Sequence, residues 1–242
     1  LDQIECEGFS FWQRFFTLRQ QILQKTGERV STYTAAWIHA LVLGDDSGID
    51  DRTITLFQDW GLSHLLAISG LHIGIVIGLV YLLLVKSNSM TKEKTEMVVM
   101  LFLPVYAMLA GSEPSVLRAS MMTVLLLLFR RMNLSMTATD VISIVFILLI
   151  LYDPYMLYHI GFQFSFIVTF GIILSRKLLL EVSSFYQLLI VSFISQMVIL
   201  PIQLNYFSLF QPLSILLNLL IVPYFSLFVI PMMFFFMIFS FL

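Results

Sequence analysis

The sequence predicts an all-α membrane protein that crosses a bilayer about seven or eight times. Of its 242 residues, 59% are hydrophobic and only 12% are charged, whereas a soluble domain has roughly 45–50% apolar and about 25% charged residues. A single soluble core of this size could not bury so much apolar surface. The composition therefore excludes a soluble enzyme, a disordered chain and a fibrous protein.

The chain divides into a polar first region, residues 1–61, and an apolar second region, residues 62–242. The first region contains nine acidic and five basic residues and all three tryptophans. Its pattern predicts an amphipathic helix over 10–29, a helix over 32–43 and a short helix over 51–60. Aromatic side chains opposite basic ones favour a position of these helices outside the membrane core, in its interface.

Apolar runs in the second region predict the membrane segments, since a helix needs roughly 20 residues to cross a bilayer. The two runs within 97–129 are short and flank the polar break Gly111–Ser115, so they form either two full crossings or a re-entrant hairpin. The runs lie at about 64–85, 97–112, 115–129, 138–152, 156–175, 186–207 and 212–230, with an apolar tail to 242.

Basic residues are concentrated in alternate loops between the runs. The loops 86–96, 130–137 and 176–185 contain seven Lys and Arg residues, and the intervening breaks contain none. Cytoplasmic loops of membrane proteins are enriched in Lys and Arg. We therefore expect these three loops to face the cytoplasm and residues 1–61 to face the outside of the cytoplasmic membrane.

The first apolar run carries both polar and small residues. Ser69 and His72 are three residues apart and share one face of the predicted helix. Gly70, Gly74 and Gly78 form overlapping small-xxx-small repeats on nearly the opposite face, which predicts close helix packing there. His72 is therefore expected either to line a cavity or to form a hydrogen bond with a neighbouring helix.

A stripe of polar residues in the run 186–207 predicts one wall of a polar path. Its members lie within about 40° of one another on a straight helix, and Pro201 is expected to kink the helix within the stripe. The alternative is hydrogen bonding across a helix interface. Gln163 and Asn218, each four residues from another polar side chain, are further lining candidates. The stripe consists of Ser192, Gln196 and Gln203.

The break at Gly111–Ser115 is the most specific local feature. Glu113 lies at a predicted helix end, Pro114 suits the first helical position, and Arg118 lies within the next helix. An arginine in a membrane segment needs a partner, and Glu113 is the nearest acidic residue in the sequence. Glu113, Ser115 and Arg118 are therefore expected to organise either a transport-type broken helix or an outer loop with a structural ion pair.

Several motifs occur in one order along the chain. They are His64–Ile73 with Ser69-Gly70-Leu71-His72, Gly111–Ala119 with Pro114-Ser115 and Arg118, and Asp153-Pro154 followed by Gly161–Phe166, with Leu43-Gly44-Asp45 before them and Pro212…Asn218…Pro223 after them. This set resembles the competence (channel) domain of the ComEC-type bacterial DNA-uptake proteins. The resemblance extends from about residue 30 to the end of the chain.

The resemblance implies an inner-membrane channel that admits one strand of external DNA into a competent bacterium. It implies as partners single-stranded DNA, an extracellular DNA receptor, a cytosolic ATPase motor and single-strand-binding proteins. The pore could lie within one chain or between copies in a homo-oligomer. The family usually has an OB-like domain before this region and often a metallo-β-lactamase-like domain after it, so we expect the chain to be part of a longer protein.

Two physical constraints apply to such a channel. An inside-negative potential opposes entry of a polyanion by on the order of 2.3 kcal/mol per charge per 100 mV, so a cytosolic motor or binding protein must pull the strand. Single-strand channels also usually combine basic grooves with aromatic platforms. Here Arg118 is the only basic residue within the predicted membrane segments, so the pore relies on neutral polar groups or on charge from other domains.

Two other classes of function stay open. A small-solute transporter could use the broken segment and the polar stripe. An intramembrane serine protease could use Ser69 as nucleophile with His159 or His72 as base, although the first glycine of the usual Gly-x-Ser-Gly motif is missing. For the channel we expect no catalytic residue, no cofactor and no metal site, because the sequence has no cluster of His and Asp ligands.

Overall fold

A computed structural model of the chain describes residues 11–87, 89–207 and 212–241. Within these ranges the backbone forms helices and turns and no β-strand, which confirms the predicted all-α class. Three helices are long and apolar enough to cross a membrane, namely Ser63–Lys86, Ser184–Tyr206 and Ser214–Phe241. The total of seven or eight membrane segments stays a prediction.

The described part of the first region, residues 11–61, forms three helices whose ends are set by local signals. Ser31 accepts a hydrogen bond at Oγ from the N–H of Thr34 (3.3 Å), which satisfies one free donor at a helix start. Gly44 ends the same helix in the left-handed conformation (φ 68°). The helices are α1 (Phe11–Arg29), α2 (Thr32–Ile38, continued by a π-helical turn over His39–Leu43) and α3 (Asp51–Asp59).

The second region contains nine further α-helices within the described ranges. Short 3₁₀ or π-helical turns precede or extend several of them: Ser63–Leu65 before α4, Leu82–Lys86 after it, Pro154–Tyr158 before α8 and Phe225–Val229 before α12. The helices are α4 (Gly70–Tyr81), α5 (Lys92–Leu109), α6 (Pro114–Arg131), α7 (Ala138–Tyr152), α8 (Ile160–Leu174), α9 (Arg176–Leu180), α10 (Ser184–Phe207), α11 (Ser214–Tyr224) and α12 (Ile230–Phe241).

Helices α5 and α6 form an antiparallel hairpin around the predicted break. Each has 18 residues, which is about 27 Å of helix and close to the roughly 30 Å of a bilayer's hydrocarbon core. The turn between them uses left-handed backbone at Gly111 (φ 81°) and Ser112 (φ 57°). At the other end of the hairpin, Arg130 and Glu96 form an ion pair (3.4 Å).

Helices α4, α6 and α8 start at the same end of the bundle. A Cβ added at Gly70, the first residue of α4, would lie 3.5 Å from Cβ of Ala119 in the second turn of α6. Arg118 in turn bonds Ser165 in the second turn of α8. The helix directions then bring all seven basic loop residues to the opposite end, which agrees with the sidedness that the loop charges predict.

Residues of both regions share the largest apolar core. Leu23 of α1 and Val42 of the turn after α2 are buried together with Ile73, Leu103 and Phe234. A second core joins α6, α7 and α8, where the rings of three phenylalanines lie with centroids 4.5–5.6 Å apart. The first core fixes α1 and α2 against the starts of α4 and α6.

Within the single chain, the packing of α4 does not require glycine at positions 74 and 78. A Cβ added at Gly74 or Gly78 would have no atom within 4 Å, and both residues are exposed. Helix α4 packs instead through the larger side chains of Ile73 and Val76. Close approach occurs at Gly70, where an added Cβ would lie 3.0 Å from a guanidinium nitrogen of Arg118.

Gly44→Ala is expected to lower the stability of the fold by about 1–3 kcal/mol, because the residue has positive φ and the added Cβ would overlap the carbonyl oxygen of Ala110. Gly78→Ala is the matched control, since its Cβ meets open space and alanine favours a helix. Thermal unfolding of the two purified variants in detergent measures the difference. Equal midpoints would show that Gly44 does not need its conformation.

Candidate functional site

Arg118 lies between three helices and has only neutral partners within the described residues. Its Nε donates a hydrogen bond to Oγ of Ser165 on α8 (2.6 Å), and one terminal nitrogen lies 3.6 Å from Sδ of Met122. Its other terminal nitrogen faces Gly70 at the start of α4. The side chain is half-buried, so its charge is screened only in part by solvent.

The predicted ion pair between Arg118 and Glu113 does not form. Glu113 is the N-cap residue of α6, and the ion pair between described residues is the one at the opposite end of the hairpin, between Arg130 and Glu96. Positions five apart on a helix point about 140° away from each other, so proximity in sequence does not bring these two side chains together.

Ser69 and His72 form a local cap at the start of α4. The backbone N–H of Ser69 donates to Nδ1 of His72 (3.1 Å), and Oγ of Ser69 lies 2.9 Å from the same nitrogen. Because Nδ1 accepts, the ring proton of neutral His72 is at Nε2. The ring is 1% exposed, and Nε2 has no hydrogen-bond partner among the described residues.

The start of α6 is tied to the start of α4 by one hydrogen bond. Oγ of Ser115 donates to the backbone carbonyl of Ile68 (2.6 Å). Ser120, one turn further along α6, is 2% exposed, and its hydroxyl has no partner among the described residues. His72 Nε2 on α4 and Ser120 Oγ on α6 are therefore two buried polar atoms without a hydrogen-bond partner among the described residues.

The electrostatics of this end favour an anion. A helix N-terminus carries roughly half a positive charge, and the N-termini of α4, α6 and α8 lie at the same end of the bundle as the guanidinium of Arg118. Free backbone N–H groups at such ends bind phosphate oxygens, and a guanidinium binds phosphate with two parallel hydrogen bonds. We call Ser69, Gly70, His72, Ser115, Arg118 and Ser165 the arginine site.

The polar stripe of α10 bonds to α11 and within its own helix. Gln196 is 8% exposed and donates from Nε2 to Oε1 of Gln203 (3.1 Å). Its Oε1 accepts from Ser214, which is 1% exposed (3.2 Å). Oγ of Ser192 donates to the carbonyl of Ile215 (3.1 Å). These contacts form a polar seam between α10 and α11, and whether the seam also lines a path stays a prediction.

The remaining lining candidates lie apart from one another. Gln163 donates from Nε2 to the backbone carbonyl of Leu157 (2.8 Å) and so closes the turn before α8. Oδ1 of Asn218 on α11 is buried without a partner among the described residues. His159 is exposed and precedes α8, while Ser69 is engaged with His72, so the described contacts provide no Ser69–His159 pair for a protease.

Ser165 is the member of the arginine site that the sequence did not single out. It lies within the run Gly161–Phe166, but one serine among four aromatic or amide residues carries no spacing signal.

Among the described residues, no three His, Cys, Asp or Glu side chains are grouped so that they could hold a metal ion.

A comparison with protein families assigns the chain. The family model described as "Competence protein" matches residues 41–242, which include the whole arginine site. The chain belongs to this Competence protein family. The match confirms the resemblance that the motifs around Ser69, Arg118 and Gly161 suggested.

A curated relative supports the same assignment. ComE operon protein 3 of Bacillus subtilis (strain 168) is 36% identical over 228 residues, which cover 94% of this chain and 29% of that protein. The chain therefore spans less than a third of this relative's length. No solved structure matches the chain.

Ser165→Ala is expected to lower the stability of the protein by about 1–3 kcal/mol, because it leaves a charged donor in the bundle without its acceptor. Ser143→Ala is the control, since that hydroxyl donates only to a carbonyl of its own helix (2.8 Å). Thermal unfolding in detergent compares the two. A larger loss in the control would contradict the importance of the Arg118–Ser165 bond.

Gln196→Leu is expected to reduce stability by about 1–3 kcal/mol, because the hydrogen bonds of Gln196 with Gln203 and with buried Ser214 are lost. Ser195→Ala on the same turn, whose hydroxyl has no hydrogen bond among the described residues, is the control. Protein level in the membrane and DNA uptake per protein molecule are measured together. Reduced uptake at normal protein level would instead favour the predicted lining role.

Proposed function

We propose that the chain forms the membrane part of a path by which single-stranded DNA enters a bacterial cell during competence. The observation that carries the proposal is the arginine site, where a cation without an acidic partner lies at the common start of three helices. A DNA strand presents one phosphate per nucleotide, and both guanidinium groups and helix N-termini bind phosphate. Membership of the Competence protein family is consistent with this substrate.

The proposed path begins at the arginine site. Helices α4, α6 and α8 surround Arg118, and their basic C-terminal loops lie at the opposite end of the bundle. In our proposal the arginine site faces the outside of the inner membrane and the basic loops face the cytoplasm, as the loop charges indicate. A phosphate would then meet Arg118 at the outer end of the proposed path.

One arginine suits a path through which the strand must keep moving. A strand that met many fixed cations would bind tightly and leave slowly, whereas conduction needs sites that bind weakly enough to release. Because the membrane potential opposes entry of the strand, the strand must be pulled from the cytoplasmic side. We therefore propose a cytosolic ATPase motor and single-strand-binding proteins as partners on that side, with a DNA receptor outside, and no catalytic activity in this chain.

Arg118→Ala is expected to lower transformation by roughly tenfold or more, since a charged hydrogen bond to phosphate contributes about 1.5–3 kcal/mol and 1.4 kcal/mol is a factor of ten. Arg118→Lys is expected to retain part of the activity, because it keeps the charge and loses the paired geometry. Cells expressing the full-length protein are transformed with marked DNA, and membrane protein level and surface-bound DNA are measured in the same cells.

The control is Arg131→Ala, an exposed arginine at the other end of the same helix. Its transformation efficiency should stay close to that of the unchanged protein. Normal transformation by Arg118→Ala at normal protein level would refute the proposed path. Loss of surface-bound DNA in this variant would place Arg118 in DNA capture before entry and not in translocation.

A further inference from the structure

We infer that Arg19 of α1 is a positioning residue for Arg118, because it holds together the two helix ends from which the turn into α6 begins. The inference rests on the proposed function, since Arg118 is the group whose placement matters for DNA. It gives α1, which lies outside the arginine site, a specific role in uptake.

The Arg19 guanidinium joins the C-terminal ends of two helices. Its Nε donates to the backbone carbonyl of Leu109 (3.1 Å), the last residue of α5. A terminal nitrogen donates to the carbonyl of Leu43 (3.1 Å), the last residue of the π-helical turn after α2. The last carbonyls of a helix have no partner within it, so one side chain satisfies two otherwise unpaired acceptors.

These two helix ends would repel each other without a cation. Each C-terminus carries roughly half a negative charge, and the backbones touch where Gly44 lies against the carbonyl of Ala110. Asp45 adds a further negative charge, and hydrogen bonds from Ser47 hold the pKa of its carboxyl below the usual value. Arg19 is the cation whose hydrogen bonds reach both ends within the described residues.

The junction lies directly before the arginine site. A Cβ added at Gly111 would lie 3.5 Å from the Arg19 guanidinium, and Gly111 begins the turn that leads into α6. The first turn of α6 is then tied to the start of α4 by the Ser115–Ile68 bond (2.6 Å). A shift of the Leu109–Gly111 backbone is therefore carried by the rigid first turn of α6 to Arg118.

Helix α1 is fixed to the bundle at further points, so Arg19 has a stable base. Leu23 is 7% exposed, and Oγ1 of Thr26 lies 2.6 Å from Nε2 of His39. Burial lowers the pKa of His39, and the charge of Arg19 lowers it further while Asp45 opposes the shift. Arg29 donates to the carbonyl of Ser240 at the end of α12 (3.0 Å), which is a third helix C-terminus held by an arginine of α1.

The test compares three substitutions of Arg19 in the full-length protein. Arg19→Ala and Arg19→Gln are expected to lower transformation at least fivefold at normal membrane protein level, because both remove the charge. Arg19→Lys should recover more than half of the activity. Lys25→Gln, on the exposed side of α1, is the matched control and should leave transformation unchanged.

A combination with Arg118→Ala decides whether Arg19 acts through Arg118. If it does, the double variant Arg19→Ala, Arg118→Ala transforms no worse than Arg118→Ala alone, since coupled residues are not additive. Multiplied defects would overturn the inference while leaving the proposed function intact. Normal transformation by Arg19→Ala, or loss of membrane protein in all three Arg19 variants, would overturn it as well.

The two proposals fail in different ways. If Arg118→Ala transforms normally, the proposed path is wrong whatever the Arg19 variants do. If Arg118→Ala is defective and Arg19→Gln equals Arg19→Lys, the path stands and the charge of Arg19 has no part in it.

Discussion

The structure depends on how a single charge is kept inside an apolar bundle. Arg118 has no acidic partner within the described residues, and its neighbours are a serine hydroxyl, a methionine sulfur and the bare backbone of Gly70. Three helices begin around it, which requires α5 and α7 to return the chain each time to the same end. A charge in lipid is costly, and the helix starts add positive potential to it, so the site suits a ligand that brings negative charge of its own.

Cations at the end of the bundle where α4, α6 and α8 start also determine how the helices are joined. The end of α5 contacts the end of the π-helical turn after α2, and the last residue of each segment has a carbonyl without a partner in its own helix. Arginines of α1 satisfy these carbonyls and one at the end of α12. The amphipathic pattern of α1 that indicates an interfacial helix is therefore only part of its chemistry, because its basic residues also bond protein backbone. Leu23 of α1, Val42 after α2 and Leu103 of α5 are buried in one core, so apolar contacts join the same helices as the hydrogen bonds of Arg19.

Local signals in the sequence predicted most helix ends, and the long-range partners could not be read from it. Ser31, Gly44 and Pro114 act on residues within one turn of themselves, so their effect is visible in the sequence. The partner of Arg118 is 47 residues away, and Glu113, the nearest acidic residue, was the wrong choice because it occupies the N-cap position on another face of the helix. The stripe on α10 shows a similar limit, since periodicity gives the face of a helix but not whether water or α11 covers it.

The same separation of 47 residues affects how the protein is made. The chain is synthesised from its N-terminus, so α6 is complete before α8 exists and Arg118 is at first without Ser165. An arginine at the bilayer centre would cost about 2.5–3.5 kcal/mol. Arg118 lies only about 6 Å from the start of its helix, where its long side chain can reach the surface. The arginine site is therefore completed only when α8 packs against α6.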